Sequence, residues 1–171
     1  MLGENATKHA VFQALNTVSL IIFAAHGSAE RGEIALSPNC TSESARITQE
    51  KDYLLTMADI SKVQVRAKLV ALSCCHSGGG QTGSEGVVGI AREFLGSGAC
   101  SALATPWVLD DTATEQLMNR FHEHLYDEES ASESPHRGMK WMRNNDLTDV
   151  SKRAPLMLIG GNVTDDFTKK G

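Results

Sequence analysis

The sequence predicts an α/β fold: a mostly parallel sheet flanked by helices on both faces, a three-layer sandwich. Two observations carry this. Short, near-continuous apolar runs rich in β-branched residues alternate along the chain with amphipathic helical segments. Each apolar run is too short for a helix core, and two of them end in a glycine or a reactive side chain.

Lys8 to Leu15 (KHAVFQAL) reads as a short helix. Val18 to Ala25 (VSLIIFAA) reads as a buried parallel strand ending at His26-Gly27. Glu33 to Leu36 predicts a short strand, and the polar stretch Pro38 to Glu50 a surface loop. Leu54 to Val63 contains a helical turn that starts near Thr56, with Asp59 in its first turn. Lys68 to Ser73 (KLVALS) predicts a second buried strand that runs into Cys74-Cys75-His76-Ser77. The glycine-rich stretch Gly78 to Gly86 reads as a mobile loop. Val87 to Leu95 predicts a helix stopped by Gly96 and Gly98.

Ala99 to Thr105 predicts a third strand, ended by Pro106. Asp110 or Asp111 starts a helix to Tyr126, with Leu117, Phe121 and Leu125 on one stripe. Asp127 to Ser134 is an acidic linker, and Pro135 suits the first turn of a helix through Arg143. Pro155 to Gly160 (PLMLIG) predicts the last strand, and residues 164–171 a disordered tail. The strand ending at His26 has only a short helix before it, yet a central strand needs neighbours on both sides. Residues 1–171 therefore read as the C-terminal major part of a larger α/β domain.

Composition narrows the function. A chain of 171 residues fits one domain with a sizeable core. The formal net charge of −5 gives no basic field for nucleic acid or an anionic membrane. No apolar run approaches the length of a membrane span, and no basic-then-apolar leader opens the chain. The cysteines are Cys40, Cys74, Cys75 and Cys100, with no Cys-x-x-Cys pair. That is poor material for a zinc site or a disulfide framework, and it suits a reducing, cytoplasmic compartment. No metal and no cofactor is expected.

Chemistry concentrates at two strand ends. In open α/β sheets, functional residues gather beyond the C-terminal ends of the strands. If the strands ending at His26 and at Cys75 are parallel neighbours, an imidazole and a thiol meet at one edge. That pair supplies a nucleophile and a base that later protonates a leaving amine. The two residues are 49 apart, and caspases place their histidine about 50 residues upstream of the cysteine. Cys75 is the better nucleophile candidate than Cys74, because it stands further out and alternate residues face opposite ways. The backbone N–H groups of Gly27 and Cys75 are candidate oxyanion donors. The opposing reading is a buried, inert strand-end cysteine beside a polar turn histidine.

The same residues carry a family resemblance. Ile22-Phe23-Ala24-Ala25-His26-Gly27 resembles the histidine motif of the CHAT domain, a caspase-like and separase-like group. Leu69-Val70-Ala71-Leu72-Ser73-Cys74-Cys75-His76-Ser77-Gly78 resembles its cysteine motif, which usually reads Leu-Ser-Ala-Cys. Gly86 to Leu95 is similar to the helix that follows, and Ala99 to Trp107 through Asp110-Asp111 to its next strand, tryptophan and aspartate. Pro155 to Gly160 is similar to its terminal strand. The Ser-Cys-Cys-His-Ser-Gly wording is especially similar to the CHAT domain at the end of large animal tetratricopeptide-repeat proteins.

The resemblance implies a caspase-like sheet carrying a cysteine-peptidase dyad of His26 and Cys75. It implies a protein or peptide substrate, and tetratricopeptide-repeat regions or other regulatory proteins as partners. Members also serve as catalytically silent interaction modules. This chain departs from the family at Cys74, where alanine is usual, and in the strand and helix region expected before Gly3.

Other residues carry two readings each. Asp110 and Asp111 can line a substrate pocket that selects a basic P1 residue, or cap the helix and complement its dipole. Trp107 can wall the cleft or fill the core. His76 is a second candidate base, badly placed beside Cys75. The glycine loop lacks the Gly-Lys-Ser/Thr ending of a phosphate loop. His122 and His124 lie two apart on a helix and face different directions, which makes them a poor metal pair.

Overall fold

The computed structural model describes residues 3–28, 31–38, 49–76, 85–105, 111–127, 129–145 and 156–164. Helix α1 is Lys8–Leu15, as the sequence predicts, and starts where the Thr7 hydroxyl accepts the Ala10 N–H. It buries Val11 and Leu15, four apart on one face. Strand β1 is Leu20–Ser28 and β4 is Leu69–His76. They pair in parallel from Leu20↔Leu69 to Gly27↔His76. Strand β5, Ser101–Ala104, lies parallel on the other side of β4.

The margins are antiparallel. Strand β2, Glu33–Ala35, folds back on β1 through a tight turn in which Gly32 N–H donates to Ser28 O. So short a connection cannot make a parallel crossover. Helix α2, Glu50–Tyr53, and the two-residue strand β3, Leu54–Leu55, follow, and β3 pairs with β2. The sequence reading did not anticipate either. Strand β6, Met157–Gly160, is antiparallel to β5. Helices α5 (Asp111–Tyr126) and α6 (Glu133–Asn144) explain its direction. The two helices follow one another closely and pack together, so the chain returns to the end of the sheet it left. Among the described residues the order is β3-β2-β1-β4-β5-β6.

Two apolar layers close on this sheet. On one face α1, α3 (Met57–Ile60) and α4 (Glu85–Gly96) bring Leu15, Ile60, Ile90 and Phe94 against Phe23, Val70 and Leu72. On the other, α5 and α6 bring Leu117, Phe121, Leu125 and Met142 against Leu69, Ala71 and Leu103. Leu69 and Ala71 serve one layer while Val70 and Leu72 serve the other, the two-residue alternation of a strand covered on both sides. The predicted three-layer α/β architecture is thus present. Gly98 turns α4 into β5 with φ +118°, and a Cβ there would stand 2.5 Å from Val65 O.

Several expectations shift. Helix α4 starts at Glu85, so Gly86 belongs to the helix rather than to the loop. Helix α6 starts at Glu133 and keeps Pro135 in its first turn, where a missing N–H costs nothing. Strand β1 continues through His26 and Gly27 to Ser28, and it is not fully buried: Ala24 and His26 are exposed. An apolar run has the residues for burial, but burial also needs a neighbour on each side. The expected loops at 39–48 and 77–84 and the tail from 165 lie outside the described residues. Among those described, no helix is long and apolar enough to cross a membrane.

Candidate functional site

The two strand ends meet. His26 of β1 and Cys75 of β4 are direct partners in the parallel ladder, with Ala24 opposite Ser73 two residues earlier. A parallel pairing with no offset carries both residues to the same C-terminal edge of the sheet, the place the sequence reading assigned them. The His26 side chain is exposed. The side chain of Cys75 lies outside what the structure describes, as do those of Cys74 and His76.

The ladder also sets the backbone. Ser19 O accepts the Leu69 N–H at 3.2 Å. In a parallel ladder both polar groups of one residue point to the same neighbour, and the direction alternates along the strand. Counting from Ser19, the N–H groups of Gly27 and Cys75 face into the β1–β4 ladder. Both candidate oxyanion donors therefore sit on its last rungs.

Below His26 a cleft of about 470 Å³ opens between β1 and α5. Its sheet wall is Ile22, Ala24, Ala25, His26 and Ser73, and its helix wall is Thr114, Glu115, Met118, Asn119 and His122. On the α5 face of β1, Ala24 is too small to reach the helix, which leaves the cleft open. Ser73 and Thr114 are buried, while Glu115 and Asn119 are exposed at the rim. His122 Nε2 is buried without a hydrogen-bond partner among the described residues. Burial holds the His122 pKa below its ordinary value, which favours the neutral ring.

Of the predicted site residues, the fold joins His26, Gly27 and Cys75. Trp107 and Asp110 lie outside the described residues. Asp111 is the first residue of α5, one turn before Glu115, and its side chain is likewise outside the described part. The sequence reading did not assign the α5 wall to the site. A signal was available: Thr114, Met118 and His122 recur every four residues, beside the buried stripe of Leu117, Phe121 and Leu125.

Comparisons with known proteins give the family. The family model described as CHAT domain matches residues 1–160. The chain is similar to tetratricopeptide repeat protein 28 of mouse, 26% identical over 193 aligned residues. It is similar to the human protein of the same name at 25%. Each alignment covers 95% of this chain and 8% of the relative, so the chain spans a small part of the relatives it matches.

Proposed function

The chain belongs to the CHAT domain family, and from that premise we propose that it is a cysteine-dependent endopeptidase-type domain. The observation that carries this reading is the ladder pairing of His26 with Cys75 at one edge of the sheet. The His26 imidazole takes the Cys75 thiol proton. The thiolate attacks a peptide carbonyl, and the imidazolium returns the proton to the amine as the C–N bond breaks. Water then hydrolyses the thioester with His26 as base. The N–H groups of Gly27 and Cys75 are the proposed oxyanion donors, and they become free when the last β1–β4 rungs part. Trp107, Asp110 and Asp111 are the proposed substrate pocket, with selectivity for a basic P1 side chain.

A second reading rests on the relatives, which are tetratricopeptide repeat proteins. In it the same fold is a silent interaction module, docked by repeat regions or other regulatory proteins.

One experiment separates the two. Cys74 is replaced by alanine to leave a single thiol on that peptide, and Cys75 labelling by a limiting electrophile is followed across pH. Fast labelling near neutral pH that drops about tenfold or more in His26→Ala is the peptidase result. A thiol profile centred near pH ~8.5 and unchanged by His26→Ala would overturn it and leave the interaction module.

A further inference from the structure

The cleft between β1 and α5 has a mouth and a foot. β5 runs the same way as β1 and ends near the same edge of the sheet. β6 enters again at that end, Met157 against Ala104, after α5 and α6 have packed together. α5 therefore runs away from the edge that β1 runs toward. His26, Thr114 and Glu115 stand at the mouth, and Ile22, Met118 and His122 at the foot. From Ile22 to His26 the strand rises about 13 Å, and from Thr114 to His122 the helix rises about 12 Å, so the two walls match in length.

Below the mouth, Ile22, Ala24 and Met118 give the cleft an apolar lining. Methionine is flexible and adapts to what packs against it. Glu115 is the carboxylate among the described lining residues, and it is exposed at the rim. A solvated carboxylate gains little from a passing cation. At the foot the His122 ring is half-buried, and loss of water favours its neutral form. An ammonium or guanidinium group pushed down beside it would meet the same loss, and among the described lining residues no carboxylate stands at that depth to offset it.

We propose that this cleft takes one bulky, uncharged side chain, of the methionine, leucine or phenylalanine kind, from the polypeptide held at the His26–Cys75 edge. The proposal rests on the reading of that edge as a peptide-binding place and adds a requirement to it. On that reading Trp107, Asp110 and Asp111 select a basic side chain, and a neighbouring uncharged one fills the space under His26. The occupant follows from place: the mouth opens beneath His26, so a peptide bond presented to that imidazole sets an adjoining side chain over the cleft. Burying such a side chain strengthens binding roughly tenfold to a hundredfold over alanine.

The test uses the full chain carrying Cys75→Ala, which binds without cleaving, and a phage-displayed library of random ten-residue peptides. Selected peptides should share methionine, leucine or phenylalanine at one position. Replacing that residue by alanine in the synthetic peptide should weaken binding about tenfold or more. Methyl NMR should show contacts from that side chain to the Met118 ε-methyl and Ile22 δ-methyl groups. Ala24→Leu, at an exposed strand position, fills the cleft, so the peptide and its alanine version should then bind alike. No thiol takes part, so a Cys75 that labels like an ordinary thiol removes the peptidase reading and leaves this result standing. A library without binders would overturn the proposal, as would a shared lysine or arginine in contact with these methyl groups. Contacts elsewhere on the chain, or a preference that survives Ala24→Leu, would overturn it too. If Ala24→Leu does not fold, the methyl contacts in the Cys75→Ala chain decide alone.

Discussion

At position 122 an imidazole is half-buried against the cleft, with Nε2 unpartnered among the described residues. Burial lowers its pKa from the ordinary 6.5, because a charged ring there would lose its water. The sign of the stability effect follows. The unfolded chain binds the proton more readily, so His122 favours the fold above its unfolded pKa, and this is lost as pH falls through the folded value. His122→Gln should therefore narrow the gap between urea midpoints measured at about pH 7.5 and about pH 5.5. An unchanged gap would assign the acid sensitivity elsewhere. The carboxylate of Asp59 acts through its partners. Burial alone would raise the Asp59 pKa, but hydrogen bonds from Lys8 and Thr56 and the Lys8 charge outweigh that and lower it from 3.8. Lys8 Nζ stands 2.7 Å from Asp59 Oδ2 and ties α1 to α3. The stability it lends is present above the unfolded pKa and lost as pH falls through the folded one, so Asp59→Asn should flatten the acid limb of a stability–pH curve.

Among the elements, α3 is only four residues long and owes its place to its first turn. Thr56 Oγ1 accepts the Asp59 N–H, and Asp59 Oδ2 accepts the Thr56 N–H, a reciprocal capping box. Thr56→Ala should cost about 1 kcal/mol in chemical denaturation, and a cost near zero would mean that packing of Ile60 alone holds the turn. This cap was legible in the sequence because its signal is local. So was α1, where an apolar pair four apart follows a threonine, and β4, whose run is covered on both faces. Two things were not legible. The exposure of Ala24 and His26 depends on which strand lies beside β1, and nothing in residues 20–26 encodes that. The cleft wall on α5 is mostly polar, and polar residues on a helix read as a solvated face until a strand with a small residue, Ala24, is placed opposite. The pairing of His26 with Cys75 was anticipated from two strand ends, but its zero-offset register comes from the ladder as a whole.

The whole molecule is two apolar layers sharing β4 and β5. Phe94, fully buried in the α4 layer, lies 5.6 Å from Phe23 between ring centroids. Phe121 is fully buried in the α5–α6 layer, on the opposite face. Truncating either to alanine should cost about 3–5 kcal/mol, the lost transfer energy plus a cavity that rigid neighbours only partly fill. The layers cannot separate cleanly, because Val70 and Leu72 face one and Leu69 and Ala71 face the other, on consecutive positions of one strand. Loosening the α4 layer therefore loosens the strand that the α5–α6 layer packs on. Trp141 on α6 packs against that second layer, with the Arg120 guanidinium 4.3 Å from its ring centroid. In a Trp107→Phe background its fluorescence reports that face alone. Phe94→Ala should move the fluorescence midpoint and the far-UV dichroism midpoint by the same amount, as one cooperative unit requires. A dichroism midpoint that falls while the fluorescence midpoint stays would mean that the α5–α6 layer holds β4 and β5 by itself.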